Sequence, residues 1–354
     1  MVGTPCQIVA ATKMDKFLDE EFPVDIKIGL FCMENFSYSY MKDMLKDEYD
    51  ADIKDVVECR IEKGYLWFFL TEDRTVKIPI NKAKKCVRKN CTVCMDFTSE
   101  LSDVSVGSVG SPEGWSTVIV RTEKGLELIE AAEKDNYIQT KTIGDSGLKI
   151  MERLAKEKKS ESKEEIKKRE KVGRPVLYRR EIFGDEFQNE VADCSFQDLK
   201  GDVVDIGACV LCGACVYACP EDAIAIKDRR PELVGKCVED CNACYVACPR
   251  TYIPDEILSK EADTKPFGDY IKILSVKAPM VKGQDGGVAT ALLTYALSSN
   301  QVDNVMVVDK SSNEPWKPEA KITDNIAEVI KASGTKYSAC PIFKPLKKSK
   351  EGGS

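Results

Sequence analysis

Histidine is absent from all 354 residues. Three kinds of chemistry are excluded with it: triads built on an imidazole base, metal sites with histidine ligands, and imidazole proton shuttles. Long apolar runs are missing too. None reaches the roughly 20 residues that a membrane-spanning helix needs, and no charged-then-apolar stretch opens the chain as a secretory signal would. Basic charge is in deficit, 52 Lys and Arg against 59 Asp and Glu, a net charge of −7. That balance argues against nucleic acid as a partner. Cys, carboxylates, Lys, Tyr and bound cofactors are left to do chemistry.

Cysteine is abundant, at 16 residues. Cys209, Cys212, Cys215 and Cys219-Pro220 follow C-x2-C-x2-C-x3-C-P, the spacing that wraps a cubane iron–sulfur cluster. Cys237, Cys241, Cys244 and Cys248-Pro249 repeat it with one extra residue in the first gap. In such paired runs the fourth cysteine of each run ligates the other cluster. The spacing therefore assigns Cys209, Cys212, Cys215 and Cys248 to one [4Fe–4S] cluster, and Cys219, Cys237, Cys241 and Cys244 to a second. Zinc sites use separated C-x2-C pairs, often with His. Disulfide frameworks belong to small secreted chains. Free thiols and clusters need a reducing space, so the expected compartment is a cytoplasm, that of an anaerobe.

The length predicts two or three domains. Residues 1–150 read as an α/β unit, with a turn at Val2–Gln7, a strand over 26–32, and strands over 56–61, 65–70 and 75–80. Glu62-Lys63-Gly64 predicts a hairpin. A strand over 115–122 and a helix over 126–134 follow. Residues 151–190 read as a charged, solvated helix and linker. Residues 191–256 are the ferredoxin domain. Residues 266–354 carry a helix over 288–297, a buried strand of a βαβ unit over 302–308, a helix over 324–332 and a loose tail from Pro345.

Cys6, Cys32, Cys91 and Cys94 lie at turns, strand ends and a polar loop, where four thiolates could hold a third [4Fe–4S] cluster; a lone buried Cys is usually inert core. Cys86 is an alternative ligand, because Cys86-x4-Cys91-x2-Cys94 is also a plausible run. Cys59 reads as core, and Cys194 and Cys340 have no partner pattern. Three glycine-rich loops, at 107–114, at Gly283-Gln284-Asp285-Gly286-Gly287 and at Gly334-Thr335-Lys336, could approach a phosphate or flavin or be ordinary turns. Gly286-Gly287 directly before a helix fits a phosphate best.

Several stretches together resemble the coenzyme F420 hydrogenase/dehydrogenase beta subunit family. They are Gly3-Thr4-Pro5-Cys6-Gln7, Gly29-Leu30-Phe31-Cys32-Met33-Glu34-Asn35-Phe36, Cys91-x2-Cys94-Met95-Asp96-Phe97 and Ser102–Gly107. Trp115-Ser116-Thr117 with Arg121-Thr122, Gly286-Gly287-Val288 and Gly334-Thr335-Lys336-Tyr337 complete the match. The resemblance implies a mixed fold, α+β or α/β: a bacterial-type 2[4Fe–4S] ferredoxin domain flanked by two halves of an F420- and FAD-binding α/β domain. It implies a cluster on Cys6, Cys32, Cys91 and Cys94. Thr4, Gln7, Gly286, Gly287, Thr335, Lys336 and Tyr337 are candidates for lining FAD, with Ser116, Thr117 and Arg121 in the same cleft. Lys89 or Lys317 would form a basic rim for the acidic tail of the deazaflavin.

The implied activity is electron transfer between coenzyme F420, by hydride to FAD, and the clusters. The chain would act as a subunit feeding a hydrogenase, formate dehydrogenase, sulfite reductase or glutamate synthase. The alternative is a flavin-free electron-transfer module. The family order is rotated here, the C-terminal-half-like part (1–150) coming before the N-terminal-half-like part (266–354). A permutation, a segment of a tandem protein and a split gene product all fit this order. A rotated chain must bring its halves and its ends together, or borrow a half from a second copy.

Overall fold

The computed structural model describes residues 1–18, 22–258, 264–281 and 285–351. The strands in chain order are Val2–Gly3 (β1), Ile28–Leu30 (β2), Val56–Glu62 (β3), Tyr65–Leu70 (β4), Thr75–Pro79 (β5), Val104–Gly107 (β6) and Ser116–Val120 (β7). They continue as Gln139–Thr142 (β8), Ile224–Lys227 (β9), Arg230–Leu233 (β10), Lys272–Lys277 (β11), Val305–Lys310 (β12) and Pro318–Thr323 (β13).

The largest sheet has the order β1-β2-β6-β7-β11-β8. β1, β2 and β6 are parallel, while β7, β11 and β8 join antiparallel. β11 comes from the C-terminal part of the chain yet lies between β7 and β8 of the N-terminal part. All five residues of β7 are buried, as expected of a strand covered on both faces. One face packs against the helices Glu123–Lys134 and Val288–Ser298 through Leu128, Ala132, Leu292 and Tyr295. The other meets Phe97, Phe267 and the long helix Asp145–Lys171 through Ile119, Met151 and Ala155.

β3, β4 and β5 form an antiparallel meander over the helix Tyr38–Tyr49. Lys63 and Gly64 both take positive φ, +50° and +81°, the pair that a tight hairpin turn requires. The predicted hairpin is present. The predicted βαβ strand is not: β12 pairs only with β13, antiparallel, in a sheet of its own. A short Val-rich run is buried in either setting, so periodicity does not separate them.

The predicted solvated helix is a second correction. Asp145–Lys171 is one helix, but Lys158, Lys159, Ser162 and Arg169 are buried along with Met151, Ala155 and Ile166. Those positions recur every three or four residues, so they share one face. The tail is a third. Lys344–Glu351 is helical, with Leu346 buried beside Met1, Ile342 and Phe343. Lys347 Nζ donates to the carbonyls of Val216 and Cys219 and pairs with Asp222. The two ends of the chain thus share one apolar cluster.

The ferredoxin-like part contains the hairpin β9–β10 and the short helices Ala214–Ala218 and Ala243–Val246. The helix Pro5–Phe17 docks on it. Lys13, fully buried, donates to the Cys248 carbonyl at 2.7 Å, Thr251 Oγ1 at 2.8 Å and the Tyr252 carbonyl at 2.7 Å.

Candidate iron–sulfur and cofactor site

The eight ferredoxin cysteines lie close together. Cys212 and Cys215 have Cys209 and Cys248 as electrostatic neighbours. Cys244 has Cys241, Cys219 and Cys237. Cys215 also has Cys244 as a neighbour, and Cys244 also has Cys248, so the two runs form one close group. The first run curls because Leu211 and Gly213 take left-handed backbone, φ +62° and +87°. The turn points amides inward: Leu211 donates to the Cys209 sulfur and Ala214 to that of Cys212. Burial pushes the Cys209, Cys212 and Cys215 thiols up. A bare thiolate is costly there, whereas a ligated one shares its charge with iron.

Cys6, Cys32, Cys91 and Cys94 also converge. Cys6 lies in the first turn of the helix Pro5–Phe17, Cys32 just beyond β2, and Cys91 and Cys94 between residues 86 and 97. Cys32 has Cys91, Cys6 and Cys94 as electrostatic neighbours. Cys91 is pushed up to about 11 by burial, partly offset by the Asn35 amide, which donates to its sulfur at 3.3 Å. Burial would also raise Cys94, but the charges of Lys158 and Arg250 outweigh it and hold that thiol below its ordinary value. Arg250 lies over the Tyr178 ring at 4.5 Å and donates to the Asn90 carbonyl at 3.2 Å. Arg250 also hydrogen-bonds the Cys94 side chain; among the described residues its buried Nε has no hydrogen-bond acceptor, and Cys6, Cys94, Tyr178 and Arg250 line one cavity. Four thiols, two cations and an orphaned donor fit an anionic cluster with sulfide acceptors.

Cys86 lies elsewhere, its sulfur 3.9 Å from Met44 Sδ in the core beneath the meander. Cys59 is core as expected, and Cys194 and Cys340 belong to neither set.

This third set adjoins the first. Cys6 is an electrostatic neighbour of Cys212. Arg88 crosses between them, donating to the carbonyls of Val210 at 2.9 Å and Cys209 at 3.2 Å.

The candidate flavin residues divide. Gly286 presses on β7: its amide donates to Ser116 Oγ at 3.2 Å, and a Cβ there would meet Ser116 N at 2.7 Å and Val276 O at 2.8 Å. Gly287 begins the helix Val288–Ser298 in left-handed backbone, φ +67°. Thr117 joins a hydroxyl chain, with Ser111 Oγ 2.8 Å from both Thr117 Oγ1 and Ser275 Oγ. Asp285 has Arg60 and Glu62 of β3 as neighbours, while the adjacent Ile61 amide donates to Tyr337 Oη at 3.1 Å. Gln7 Oε1 accepts from Thr4 N at 2.8 Å, and Gln7 Nε2 donates to the Cys340 carbonyl at 3.1 Å. Thr335 is exposed. Ser338 Oγ, next to Tyr337, is buried without a hydrogen-bond partner among the described residues. Gly283 and Gln284 lie outside the described residues.

Two candidates are bound up in contacts to protein. Arg121 donates to Ser105 Oγ, the carbonyls of Phe267, Asp269 and Thr98, and Thr98 Oγ1 at 2.7–3.1 Å. Its five donors are engaged in tying β7 to flanking loops, which leaves none for a ligand. Lys336 donates to the Ala332 and Ser333 carbonyls, capping the helix Ile326–Lys331, and burial lowers it to about 8. Of the basic rim, Lys317 is paired with Glu314 and Lys89 is exposed. The missed residues are Lys158, Ser162 and Arg169. A helical face alternating Met151, Ala155, Ile166 with these polar side chains is the signal that could have found them.

Two cysteine-run loops on a hairpin-and-helix scaffold, joined to a mixed α/β domain, define an iron–sulfur protein with a ferredoxin-type module. Residues 202–225 match the 4Fe-4S binding domain. Residues 1–146 match the C-terminal model of the coenzyme F420 hydrogenase/dehydrogenase beta subunit, and residues 275–347 match its N-terminal model. The chain belongs to the coenzyme F420 hydrogenase/dehydrogenase beta subunit family, with the two models in rotated order. Among its relatives are coenzyme F420 hydrogenase subunit beta of Methanococcus voltae (38% identity, 50% of this chain, 65% of the relative) and of Methanosarcina barkeri (34%, 49% and 62%). A coenzyme F420-dependent sulfite reductase of Methanocaldococcus jannaschii is 34% identical over 48% of this chain and 28% of its own. The chain spans less than two thirds of each relative's length.

Proposed function

We propose that the chain is an iron–sulfur flavoprotein passing electrons between coenzyme F420 and [4Fe–4S] clusters through FAD, as a subunit of a larger redox enzyme. The observation that supports this reading is the clustering of the eight cysteines of the two runs, with Cys6, Cys32, Cys91 and Cys94 gathered beside them. Bound FAD exchanges a hydride with a deazaflavin and single electrons with clusters. Such transfer needs no histidine.

The chain's own tasks are to hold, orient and enclose. Cys209, Cys212, Cys215 and Cys248 hold one cluster, Cys219, Cys237, Cys241 and Cys244 a second, and Cys6, Cys32, Cys91 and Cys94 a third. Lys13 and Arg88 fix the two domains so that the first and third sets stay adjacent. Residues 1–150 and 266–354 act as one cofactor-binding domain, a reading supported by the pairing of β11 with β7 and β8. Within it Gly286 and Gly287 bring a helix N-terminus to the flavin phosphates. Ser116, Thr117, Thr4, Gln7, Thr335 and Tyr337 flank the same cleft, and the orphaned Ser338 hydroxyl supports a ligand beside Tyr337. Lys336 and Arg121 hold the walls. The names of the relatives support a partner that is a hydrogenase or sulfite reductase component.

Adding reduced coenzyme F420 to the anaerobically purified, oxidised protein tests this. Reduced-cluster EPR signals should grow in. Clusters that respond to dithionite but never to the reduced coenzyme would leave a flavin-free electron-transfer module.

A further inference from the structure

From residue 147 on, the long helix Asp145–Lys171 lies outside the matched segments, which end at residue 146 and resume at residue 202. It nevertheless follows the loops that carry the third cysteine set. Lys158 Nζ donates to the carbonyls of Cys32 and Asp96, the latter at 2.8 Å. Ser162 Oγ donates to the Cys94 carbonyl at 2.9 Å, and Arg169 Nη2 to the Lys89 carbonyl at 2.5 Å. Tyr178, just beyond the helix, donates to the Val93 carbonyl. One element therefore grips the backbone beside Cys32, Cys91 and Cys94.

Lys158 is 4% exposed. A buried ammonium is costly unless something nearby is negative. Two protein carboxylates are near, Asp96 and Glu34. Asp96 already accepts from the Ser99 and Glu100 amides at 2.7 and 2.9 Å. The sulfurs of Cys94, Cys32 and Cys91 also lie near it, and as cluster ligands they would carry negative charge.

We propose that Lys158 is a fixed positive charge built against the third cluster, and that it sets that cluster's reduction potential above what its four thiolates alone would give. The inference rests on the reading that Cys6, Cys32, Cys91 and Cys94 hold a [4Fe–4S] cluster. Reduction adds one electron, supplied by the flavin, and makes the ligated cluster one unit more negative. A fixed cation at close range in a buried site stabilises the reduced form more than the oxidised form. Lys158 touches no substrate; it is a tuning and positioning residue.

The test uses the full chain with Lys158→Met, Lys158→Gln and Lys158→Arg, purified anaerobically, with iron counted and each cluster titrated by EPR. Met and Gln are expected to keep about 12 irons. One cluster should become at least tenfold harder to reduce, about 59 mV lower for one electron, with the other two unmoved. Arg should restore the wild-type potential. Gln separates charge from hydrogen bonding, since it keeps a donor and loses the charge. If Met and Gln instead lose four irons while Arg keeps them, the charge is needed to hold the cluster rather than to tune it, which overturns the tuning claim. Unshifted potentials in Met and Gln, or Arg displaced as far as Met, would overturn it. A wild-type chain with only about 8 irons would overturn the underlying reading as well, a result distinguishable from an unshifted potential in a loaded protein.

Discussion

Arg88 and Cys209 belong to different domains, yet Arg88 Nη2 donates to the Cys209 carbonyl at 3.2 Å while Nη1 holds the Val210 carbonyl at 2.9 Å. One guanidinium, three residues before Cys91, thus grips the backbone of a first-set cysteine. Arg88→Met should keep the iron content, because it removes no thiol. It should slow electron transfer between the two cysteine sets and cost about 1.5–3 kcal/mol per lost charge-assisted bond. Freeze-quench EPR of the reduction and a thermal melt read the two effects. An unchanged rate would mean that Arg88 does not fix the domains.

Cys91 and Cys86 lie close in sequence but in different surroundings. Cys91→Ser should lose about 4 of about 12 irons. Cys86→Ser should lose none, since that thiol contacts Met44 in an apolar core. Iron analysis of the two variants decides between the ligand sets. Iron loss in Cys86→Ser would restore the alternative run.

Gly286 leaves no room for a side chain. In Gly286→Ala the new methyl would come within 2.7 Å of Ser116 N and 2.8 Å of Val276 O, both backbone atoms. The turn must swing off β7, at a cost of about 1–3 kcal/mol. The flavin-to-protein ratio should fall with iron content unchanged. A variant with full flavin content would remove this turn from the binding site.

Lys336 gives a pH signature. Burial lowers its amine from an ordinary value near 10.5 to about 8. Between those values the unfolded chain binds more protons at this site than the folded one, so the site's contribution to stability rises with pH. The slope is at most about 1.4 kcal/mol per pH unit. Below about pH 8 both states are charged and the burial cost is constant. The difference in melting temperature between wild type and Lys336→Met should therefore shift in favour of the wild type from pH 8 to 10. A difference independent of pH would show that the amine keeps its proton throughout.

The sequence was most legible where ligands are local. Cys209, Cys212 and Cys215 lie within seven residues, so their spacing already carries the geometry. Cys6, Cys32, Cys91 and Cys94 announce their chemistry but not their convergence, which depends on β1 and β2 being neighbours and on the 86–97 loop folding back over them. The strand over 302–308 was misassigned because an apolar run satisfies a buried βαβ strand and an isolated hairpin equally. Lys158, Lys159 and Arg169 were hidden for a different reason. A helix rich in Lys and Glu reads as solvated, and only burial shows that one lysine meets the carbonyls of Cys32 and Asp96 and another a carboxylate, Lys159 Nζ lying 2.8 Å from Glu100. Arg121 is legible as a cation but not in its partners: every donor is bound to protein.

The measurement that tests the central claim most directly is iron, acid-labile sulfide and flavin quantification on anaerobically purified protein. Three cubane clusters and one flavin predict about 12 irons, about 12 sulfides and one FAD per chain. About 8 irons with no flavin would contradict the account, leaving a two-cluster ferredoxin module attached to an α/β domain that binds no cofactor.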